Sequence, residues 1–234
     1  MSVVENRPAK LFKFRSLKGD GLMFVKDILL RRRLFCADYL TLNDPLEGIV
    51  MERICRELKL QLPQINTGAF SFRNLWIDQK SIENRKFEVK NFGKQPRVCS
   101  LSATIEHPLM WAHYADGHRG VAIEFSMAGN LGDCARAVAY SAGVPEFSTA
   151  DIKMLKPSDM LLHTTKPYEY EQEYRIIQDH EYFLLNNAIN AVYFGSRTDQ
   201  KHLIDLEAIS RPFVQFYKTE IDPYSGMVVS QLID

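Results

Sequence analysis

The chain has 234 residues, of which 46% are hydrophobic and 25% charged, so it can bury a substantial core within one large domain. Its 29 Lys and Arg residues balance its 29 Asp and Glu residues, which gives no reason to expect tight nonspecific binding to nucleic acid or membranes. No apolar run approaches the length of a membrane span, and the N-terminus has no apolar signal core. We therefore expect a cytoplasmic protein with no membrane partner.

The first 45 residues predict strands and helices in quick succession. The apolar and polar side chains of residues 11–16 alternate, which predicts a first strand, and Asp20 is placed to cap a helix that runs to about residue 33. Residues 34–37 predict a short strand. Asn43-Asp44-Pro45 predicts a turn into a helix that has Pro45 at its first position.

Residues 61–96 have the weakest periodicity of the chain, and we interpret them as an inserted or lid-like segment of a single domain that spans residues 1–234. The later elements are predicted in chain order as strand 97–103, helix 108–115, strand 120–126, strand 135–141, helix 148–163, a carboxylate-rich strand, strand 191–194, helix 198–210 and strand 213–218. Strands outnumber helices without a regular alternation, so the fold class is predicted to be α+β. The four cysteines are widely spaced among mostly apolar neighbours, which is typical of reduced core residues.

The carboxylate-rich strand, residues 168–177, is the most informative segment. In an extended strand Glu169, Glu171, Glu173 and Arg175 share one face, where like charges repel one another. Such a face is tolerated if water solvates it, if cations offset it, or if a site uses the carboxylates. Two interpretations follow: a solvent-facing edge strand with Arg175 as the partner, or a functional cluster.

Residues 110–118 form a second segment that is rich in aromatic and ionisable side chains. It contains two aromatic residues, two histidines and an aspartate. One interpretation is that Trp111 and Tyr114 form a stacking wall for a base or nicotinamide ring, with His113 as a donor. The alternative is that the aromatic residues are core and that His113 caps a backbone carbonyl. The histidines match no standard zinc spacing, so no metal is expected.

Several familiar motifs are absent from the sequence. It has no Gly-x-Gly-x-x-Gly after a strand, no phosphate loop, no His-Glu-x-x-His and no nucleophile elbow, which disfavours dinucleotide-binding folds of the usual kind, nucleotide triphosphatases and zinc proteases. Arg15 lies on the first strand, whereas Ser100 and Ser102 lie on a later one. A spacing of two places both serines on the same side of their strand.

The order of these motifs resembles the bacterial family called domain of unknown function 2971, and the resemblance covers nearly the whole chain. The segments that carry it are residues 12–17, 34–37, 42–45, 99–102, 110–114, 120–125 and 170–175. This family implies no established activity.

A second resemblance implies an activity. Arg15 on a first strand, Ser100-x-Ser102 on a later one and Glu171-x-Glu173 entering an apolar strand follow the order of the ADP-ribosyltransferases. The opening of the chain is also similar to small members of that superfamily that act on nucleic acid. The resemblance implies a split mixed β-sheet core with flanking helices around a cleft for NAD.

The resemblance further implies that NAD is the substrate and that ADP-ribose passes to a nucleic acid or protein, in phage defence or as a toxin. Glu173 would bind the ribose 2-hydroxyl and stabilise an oxocarbenium-like transition state. Glu171 would orient or deprotonate the acceptor, and Arg15 would pair with a phosphate through two hydrogen bonds. Ser100 and Ser102 would hold Glu173 in place.

Trp111 or Tyr114 would stack on a ring of NAD, and the insert would cover the cleft or meet the acceptor. Two alternatives remain open from the sequence. One is a toxin-type RNA nuclease in which His113, His118 and Glu173 perform acid–base chemistry. The other is a non-catalytic nucleotide-sensing module that uses the same cleft.

Overall fold

A computed structural model describes residues 7–42, 70–72, 75–77, 88–89, 96–143, 159, 161–186, 189–210 and 212–233. The predicted turn and helix at 43–45, most of the predicted insert, and all but a few residues of the predicted helix 148–163 lie outside the described residues.

The described strands are, in chain order, β1 (Lys10–Arg15), β2 (Arg33–Phe35), β3 (Ala37–Asp38), β4 (Phe70–Phe72), β5 (Leu75–Ile77), β6 (Glu88–Val89), β7 (Arg97–Ser102), β8 (Val121–Ser126), β9 (Arg136–Ala137), β10 (Ala139–Ser141), β11 (His163–Thr165), β12 (Glu173–Gln178), β13 (Tyr182–Leu184), β14 (Ile189–Phe194), β15 (Gln215–Ile221) and β16 (Val228–Leu232). The described α-helices are α1 (Gly21–Arg31), α2 (Pro108–Tyr114), α3 (Asn130–Cys134) and α4 (Gln200–Ser210). Short 3-10 helices span Tyr39–Thr41 and Lys166–Glu171.

One large mixed sheet forms the centre of the protein. Its strand order is β16-β15-β14-β8-β1-β7-β12-β9, and β3 also pairs with β7. Strands β14 and β15 are parallel, whereas the other pairs in this sheet are antiparallel. Smaller sheets pair β10 with β11, β13 with β2, and β4 with β5 and β6. The protein therefore has an α+β fold built on a mixed sheet.

Alternation along the strands separates two hydrophobic cores on the two faces of the sheet. Leu11 belongs to the first core, together with side chains of α1 and α4, whereas Phe12 and Phe14 belong to the second, together with side chains of α2. The central strand β8 is buried from Val121 to Phe125. Strand β8 has a neighbouring strand on each side and a hydrophobic core on each face, which explains why it is a nearly continuous apolar run.

Strand β1 pairs over a much shorter stretch with β7 than with β8. Strand β1 pairs with β8 at six positions, from Lys10 opposite Ser126 to Arg15 opposite Val121. With β7 it pairs at one position only, Phe12 opposite Ser102. A regular ladder would continue two residues further with Phe14 opposite Ser100, but the two strands diverge there. This divergence opens the space in which the candidate site lies.

The carboxylate segment differs from its prediction. Residues Lys166–Glu171 form a 3-10 helix, Gln172 adopts a left-handed conformation with φ of 44°, and the strand begins only at Glu173. The prediction that three glutamates share one strand face is therefore wrong. The edge-strand interpretation is also wrong, because β12 lies between β7 and β9 and both Glu173 and Arg175 are buried.

Most of the other predicted elements are confirmed in type and approximate position, among them β1, α1, β7, α2, β8, β14, α4 and β15. The predicted strand 135–141 is two short strands interrupted at Val138. Cys36 and Cys99 are buried free thiols, as expected, whereas Cys134 is exposed. Within the described ranges, no helix has the length and apolar character that crossing a bilayer requires.

Candidate functional site

A cavity of about 540 Å³ lies where β1 and β7 diverge. Its walls come from β1, β7, β12, α2 and the 3-10 helix before β12, and its size falls in the range of pockets for small molecules. Seven of the predicted site residues line it, although they are far apart in the sequence: Arg15, Ser100, Ser102, His113, Tyr114, Glu171 and Glu173. Trp111 is the predicted site residue that does not.

One wall of the cavity carries two cations from β1, Lys13 and Arg15. The Lys13 amine donates a hydrogen bond to the Ser100 carbonyl oxygen at 2.7 Å, which bridges the gap between the diverging strands. The Arg15 Nε is buried and has no hydrogen-bond partner among the described residues. Among the described residues, neither Lys13 nor Arg15 forms an ion pair with a carboxylate. Both cations are half-buried, and withdrawing a cation from water without an anionic partner is costly, so this wall is suited to an anionic ligand.

Burial lowers the pKa of both Lys13 and Arg15 from their ordinary values. The second-largest effect on both pKa values comes from the thiol of Cys99, which raises them. A hydrogen bond with Cys36 lowers the pKa of Cys99, and the neighbouring cations lower it further, against the effect of burial. Lys13 and Arg15 therefore both contribute to the lowered pKa of a neighbouring thiol, after the larger effect of Cys36.

The cavity is also lined by Glu173, whose carboxylate is held by Arg175. Arg175 Nε donates to Glu173 Oε1 and Arg175 Nη2 donates to Glu173 Oε2, each at 2.8 Å. Arg175 Nη1 also donates to the Leu161 carbonyl oxygen at 2.7 Å, and both charged side chains are buried. This arrangement is a two-point charge-assisted pair, so Glu173 has a fixed orientation.

The predicted role of the serines requires correction. The Ser102 hydroxyl donates to the backbone carbonyl oxygen of Glu171 at 2.6 Å and therefore fixes the turn before β12, not the Glu173 side chain. Ser100 contributes its carbonyl oxygen to Lys13. Both serines lie directly across the sheet from β12, with Ser102 opposite Glu173 and Ser100 opposite Arg175. Arg175 takes the role that the sequence assigned to them.

Glu171 is the second carboxylate of the cavity, and its environment is different. The Tyr114 hydroxyl donates to Glu171 Oε1 at 2.6 Å, and no Lys or Arg side chain of the described residues forms an ion pair with Glu171. Burial raises the pKa of Glu171, and the nearby charge of Glu173 raises it further, whereas the hydrogen bond from Tyr114 opposes the rise. A buried carboxylate with a raised pKa is the usual environment of a general acid or base.

His113 lies at the mouth of the cavity, where its side chain is exposed to solvent. Its Nδ1 lies 2.9 Å from the hydroxyl oxygen of Tyr170. The Tyr170 ring also packs on His107, with the two ring centroids 5.1 Å apart. His113 is thus connected to the 3-10 helix that carries Glu171.

Trp111 faces the core, and its predicted stacking role is corrected by the structure. The indole is fully buried, packs edge to face on Phe14 with centroids 5.2 Å apart, and donates from Nε1 to the Ile105 carbonyl oxygen at 2.7 Å. Trp111 and Tyr114 both lie on α2, which packs against the sheet. Of these two residues, Trp111 points into the core and Tyr114 lines the cavity. His118 stacks on Trp111 and does not line the cavity, so the three residues of the nuclease alternative do not converge.

Sequence reasoning missed Lys13 and Tyr170, and it named Arg175 only as the partner of the carboxylates on a solvent-facing edge strand. A signal existed for Lys13, because its spacing of two from Arg15 on a strand places both cations on one face. The same spacing links Arg175 to Glu173. No group of three or more metal-binding side chains suited to an ion occurs in the described ranges.

Comparisons of the chain with protein-family models, with curated proteins and with solved structures each found no match. The family resemblance and the predicted activity therefore stay predictions.

Proposed function

We propose that the protein is an ADP-ribosyltransferase-like enzyme, which cleaves the bond between nicotinamide and ribose in NAD and transfers ADP-ribose to a nucleic acid or protein. The observation that carries the proposal is a single cavity lined both by two half-buried cations, Lys13 and Arg15, and by two carboxylates, Glu171 and Glu173. NAD has the matching distribution, since its pyrophosphate is anionic and its nicotinamide riboside is cationic.

The cationic wall would bind the pyrophosphate. Arg15 offers a planar guanidinium that can donate two parallel hydrogen bonds to phosphate oxygens, and Lys13 adds a second positive charge on the same strand face. A phosphate there would supply the anionic partner that both cations lack among the described carboxylates. Binding would thus offset a desolvation cost that the folded protein already bears.

The carboxylates of Glu171 and Glu173 would act on the ribose. As the bond to nicotinamide breaks, positive charge develops on the ribose, and nearby negative charge lowers the barrier. Glu173 would accept a hydrogen bond from a ribose hydroxyl, in the orientation that Arg175 fixes. Because Arg175 neutralises much of the charge of Glu173, Glu171 would supply the remaining negative charge at the reacting centre and act on the acceptor.

Tyr114 would position the nicotinamide ring, which is the leaving group. The Tyr114 ring lines the cavity while its hydroxyl is held by Glu171, so the ring has little freedom to turn away. A restrained aromatic face can stack on nicotinamide at low entropic cost. His113 lies beside it at the opening.

Nicotinamide release from NAD tests this proposal directly. The purified chain is incubated with NAD and with DNA, RNA or protein acceptors, and free nicotinamide and labelled acceptor are both quantified. We expect Arg15→Met and Lys13→Met to weaken NAD binding at least tenfold, which corresponds to about 1.4 kcal/mol. Lys201→Met, at an exposed lysine of α4, serves as the matched control.

Absence of both NAD binding and nicotinamide release with every acceptor would overturn the proposal. Saturable binding of NAD without nicotinamide release would contradict catalysis and favour the nucleotide-sensing alternative. Cleavage of RNA in the absence of NAD would favour a nuclease instead.

A further inference from the structure

We infer that Phe35, Ala37, Leu42 and Val98 form a subsite for the adenine base of NAD, at the end of the cavity away from the carboxylates. All four residues line the cavity and are apolar. This inference rests on the proposed function and adds to it the place where the second nucleoside binds. It implies that the protein prefers the dinucleotide to nicotinamide mononucleotide.

The position of the subsite follows from the pairing of β7 with its neighbours. Three alternate residues of β7 line the cavity, which are Ser102, Ser100 and Val98. Ser102 lies opposite Glu173 of β12, and Val98 lies opposite Ala37 of β3. At about 3.3 Å per residue, Ser102 and Val98 are about 13 Å apart along the strand. The carboxylates and the apolar residues therefore line opposite ends of an elongated cavity.

The two cations of the cavity lie between these ends. The Lys13 amine donates to the carbonyl oxygen of Ser100, which is the middle one of the three β7 residues. Because β1 runs antiparallel to β7, Arg15 lies two residues further along β1 in the direction of Val98. The order along the cavity is thus carboxylates, cations and apolar residues. NAD has the corresponding order of nicotinamide riboside, pyrophosphate and adenosine.

Phe35 offers an aromatic face at the apolar end. It lines the cavity and is 41% exposed. Its ring packs edge to face on Tyr182 with the centroids 5.8 Å apart, and the Arg33 guanidinium lies 3.7 Å from the centroid of the Tyr182 ring. Arg33 is held in turn by two hydrogen bonds to Asp27. An exposed ring whose orientation is supported in this way can stack on a nucleobase, which removes both apolar faces from water.

The other side chains at this end suit a flat heterocycle. Ala37 is small, and Val98 and Leu42 provide apolar contacts without charge. Thr41, which follows β3, and Ser16, which follows β1, also line the cavity and carry hydroxyl groups that can hydrogen bond with the edge of a base. Apolar walls with a few polar groups are typical of pockets that bind small molecules. The adenine base of NAD has the chemistry that this end would recognise.

Binding of adenosine diphosphate and of inorganic pyrophosphate, both measured by calorimetry, tests the subsite without any reaction. Pyrophosphate carries at least as much negative charge as the diphosphate group of ADP, so tighter binding of ADP must come from its adenosine. We expect wild type to bind ADP at least fivefold more tightly than pyrophosphate, because stacking of the base adds to the phosphate contacts.

Variants at the apolar end should remove this advantage of ADP. Phe35→Ala removes the stacking ring and Ala37→Leu fills the space beside it, and each should change pyrophosphate binding less than twofold. Phe35→Tyr keeps an aromatic ring and should retain most of the advantage. Phe213→Ala is the matched control, because Phe213 is an exposed phenylalanine outside the cavity.

Equal binding of ADP and pyrophosphate by wild type would overturn the subsite, as would an advantage of ADP that survives in both Phe35→Ala and Ala37→Leu. Nicotinamide release distinguishes this failure from failure of the proposed function. Release from NAD and from nicotinamide mononucleotide with equal kcat/KM would overturn the subsite and support the proposed function. ADP binding that depends on Phe35, without nicotinamide release, would overturn the proposed function alone.

Discussion

Arg175 binds both carboxylate oxygens of Glu173 from a position two residues further along the same strand, with both contacts at 2.8 Å. The spacing of two puts the side chains on one face of β12, and both are buried. Arg175 also anchors to the Leu161 carbonyl oxygen, so the pair ties a wall of the cavity to the segment before β11. Glu173 is therefore a structural residue of the fold as well as a candidate for catalysis.

The first prediction concerns this ion pair. Glu173→Gln removes the charge that compensates Arg175 in the interior, and breaking a buried pair in this way typically costs about 3 kcal/mol or more. We expect the free energy of unfolding, measured by urea titration, to fall by about that amount. The double variant Glu173→Gln with Arg175→Met should recover much of the loss, because no uncompensated charge is left.

Glu169→Gln, at an exposed carboxylate of the preceding 3-10 helix, is the control and should change the urea midpoint little. A wild-type midpoint for Glu173→Gln would contradict the structural role of the pair. Any loss of activity in Glu173→Gln must be measured at denaturant-free conditions where the variant is folded, so that the contribution to catalysis is separated from the contribution to stability.

The second prediction concerns Lys13, which is half-buried and donates a hydrogen bond to a carbonyl oxygen, not to a carboxylate. Lys13→Met has nearly the same volume and removes a desolvated charge, so the free energy of unfolding should stay equal or rise. Binding of inorganic pyrophosphate, measured by calorimetry, should weaken at least tenfold. A variant that is strongly destabilised but binds pyrophosphate normally would return Lys13 to a purely structural role.

Period-two spacing explains much of what the sequence predicted correctly. It placed Ser100 and Ser102 on one strand face, and a simple alternation placed β1 and its Arg15 within a residue of their observed bounds. The sequence could not show that β1 and β7 diverge after Phe12, because register is a property of paired strands.

Two local features were also beyond sequence reasoning. The left-handed conformation of Gln172 ends the 3-10 helix and begins β12, yet this conformation favours Gly, Asn or Asp, so Gln gives no signal for it. On α2 both Trp111 and Tyr114 have the chemistry of a stacking residue. Only the packing of the helix on Phe14 decides that Trp111 is core and that Tyr114 reaches the cavity.

The third prediction separates these two aromatic residues. Trp111→Ala removes a fully buried ring and its hydrogen bond to Ile105, so the free energy of unfolding should fall by about 3 to 5 kcal/mol. Tyr114→Phe keeps the ring and loses only the hydroxyl bond to Glu171, so the fall should be about 1 kcal/mol. Urea titrations of both variants test this, and equal losses would contradict the assignment of Trp111 to the core.

The last prediction uses the raised pKa of Glu171. Below the ordinary value of 4.5 both the folded and the unfolded chain hold the proton, and the contribution of this carboxyl to stability is fully present. As the pH rises above 4.5 the unfolded chain releases its proton first, so unfolding is favoured, and the contribution is lost as the pH passes through the folded pKa. Glu171→Gln has no such proton to lose.

The unfolding free energy of Glu171→Gln minus that of wild type should therefore increase with pH from about 4.5 upward and become constant above the folded pKa, by roughly 1.4 kcal/mol for each unit of the pKa rise. Urea titrations of both proteins at several pH values measure this difference, and Glu169→Gln provides the control at an exposed carboxylate. A difference that is flat across this range, or that decreases with pH, would mean that Glu171 titrates normally. Glu171 would then lack the strengthened basicity on which its proposed role toward the acceptor depends.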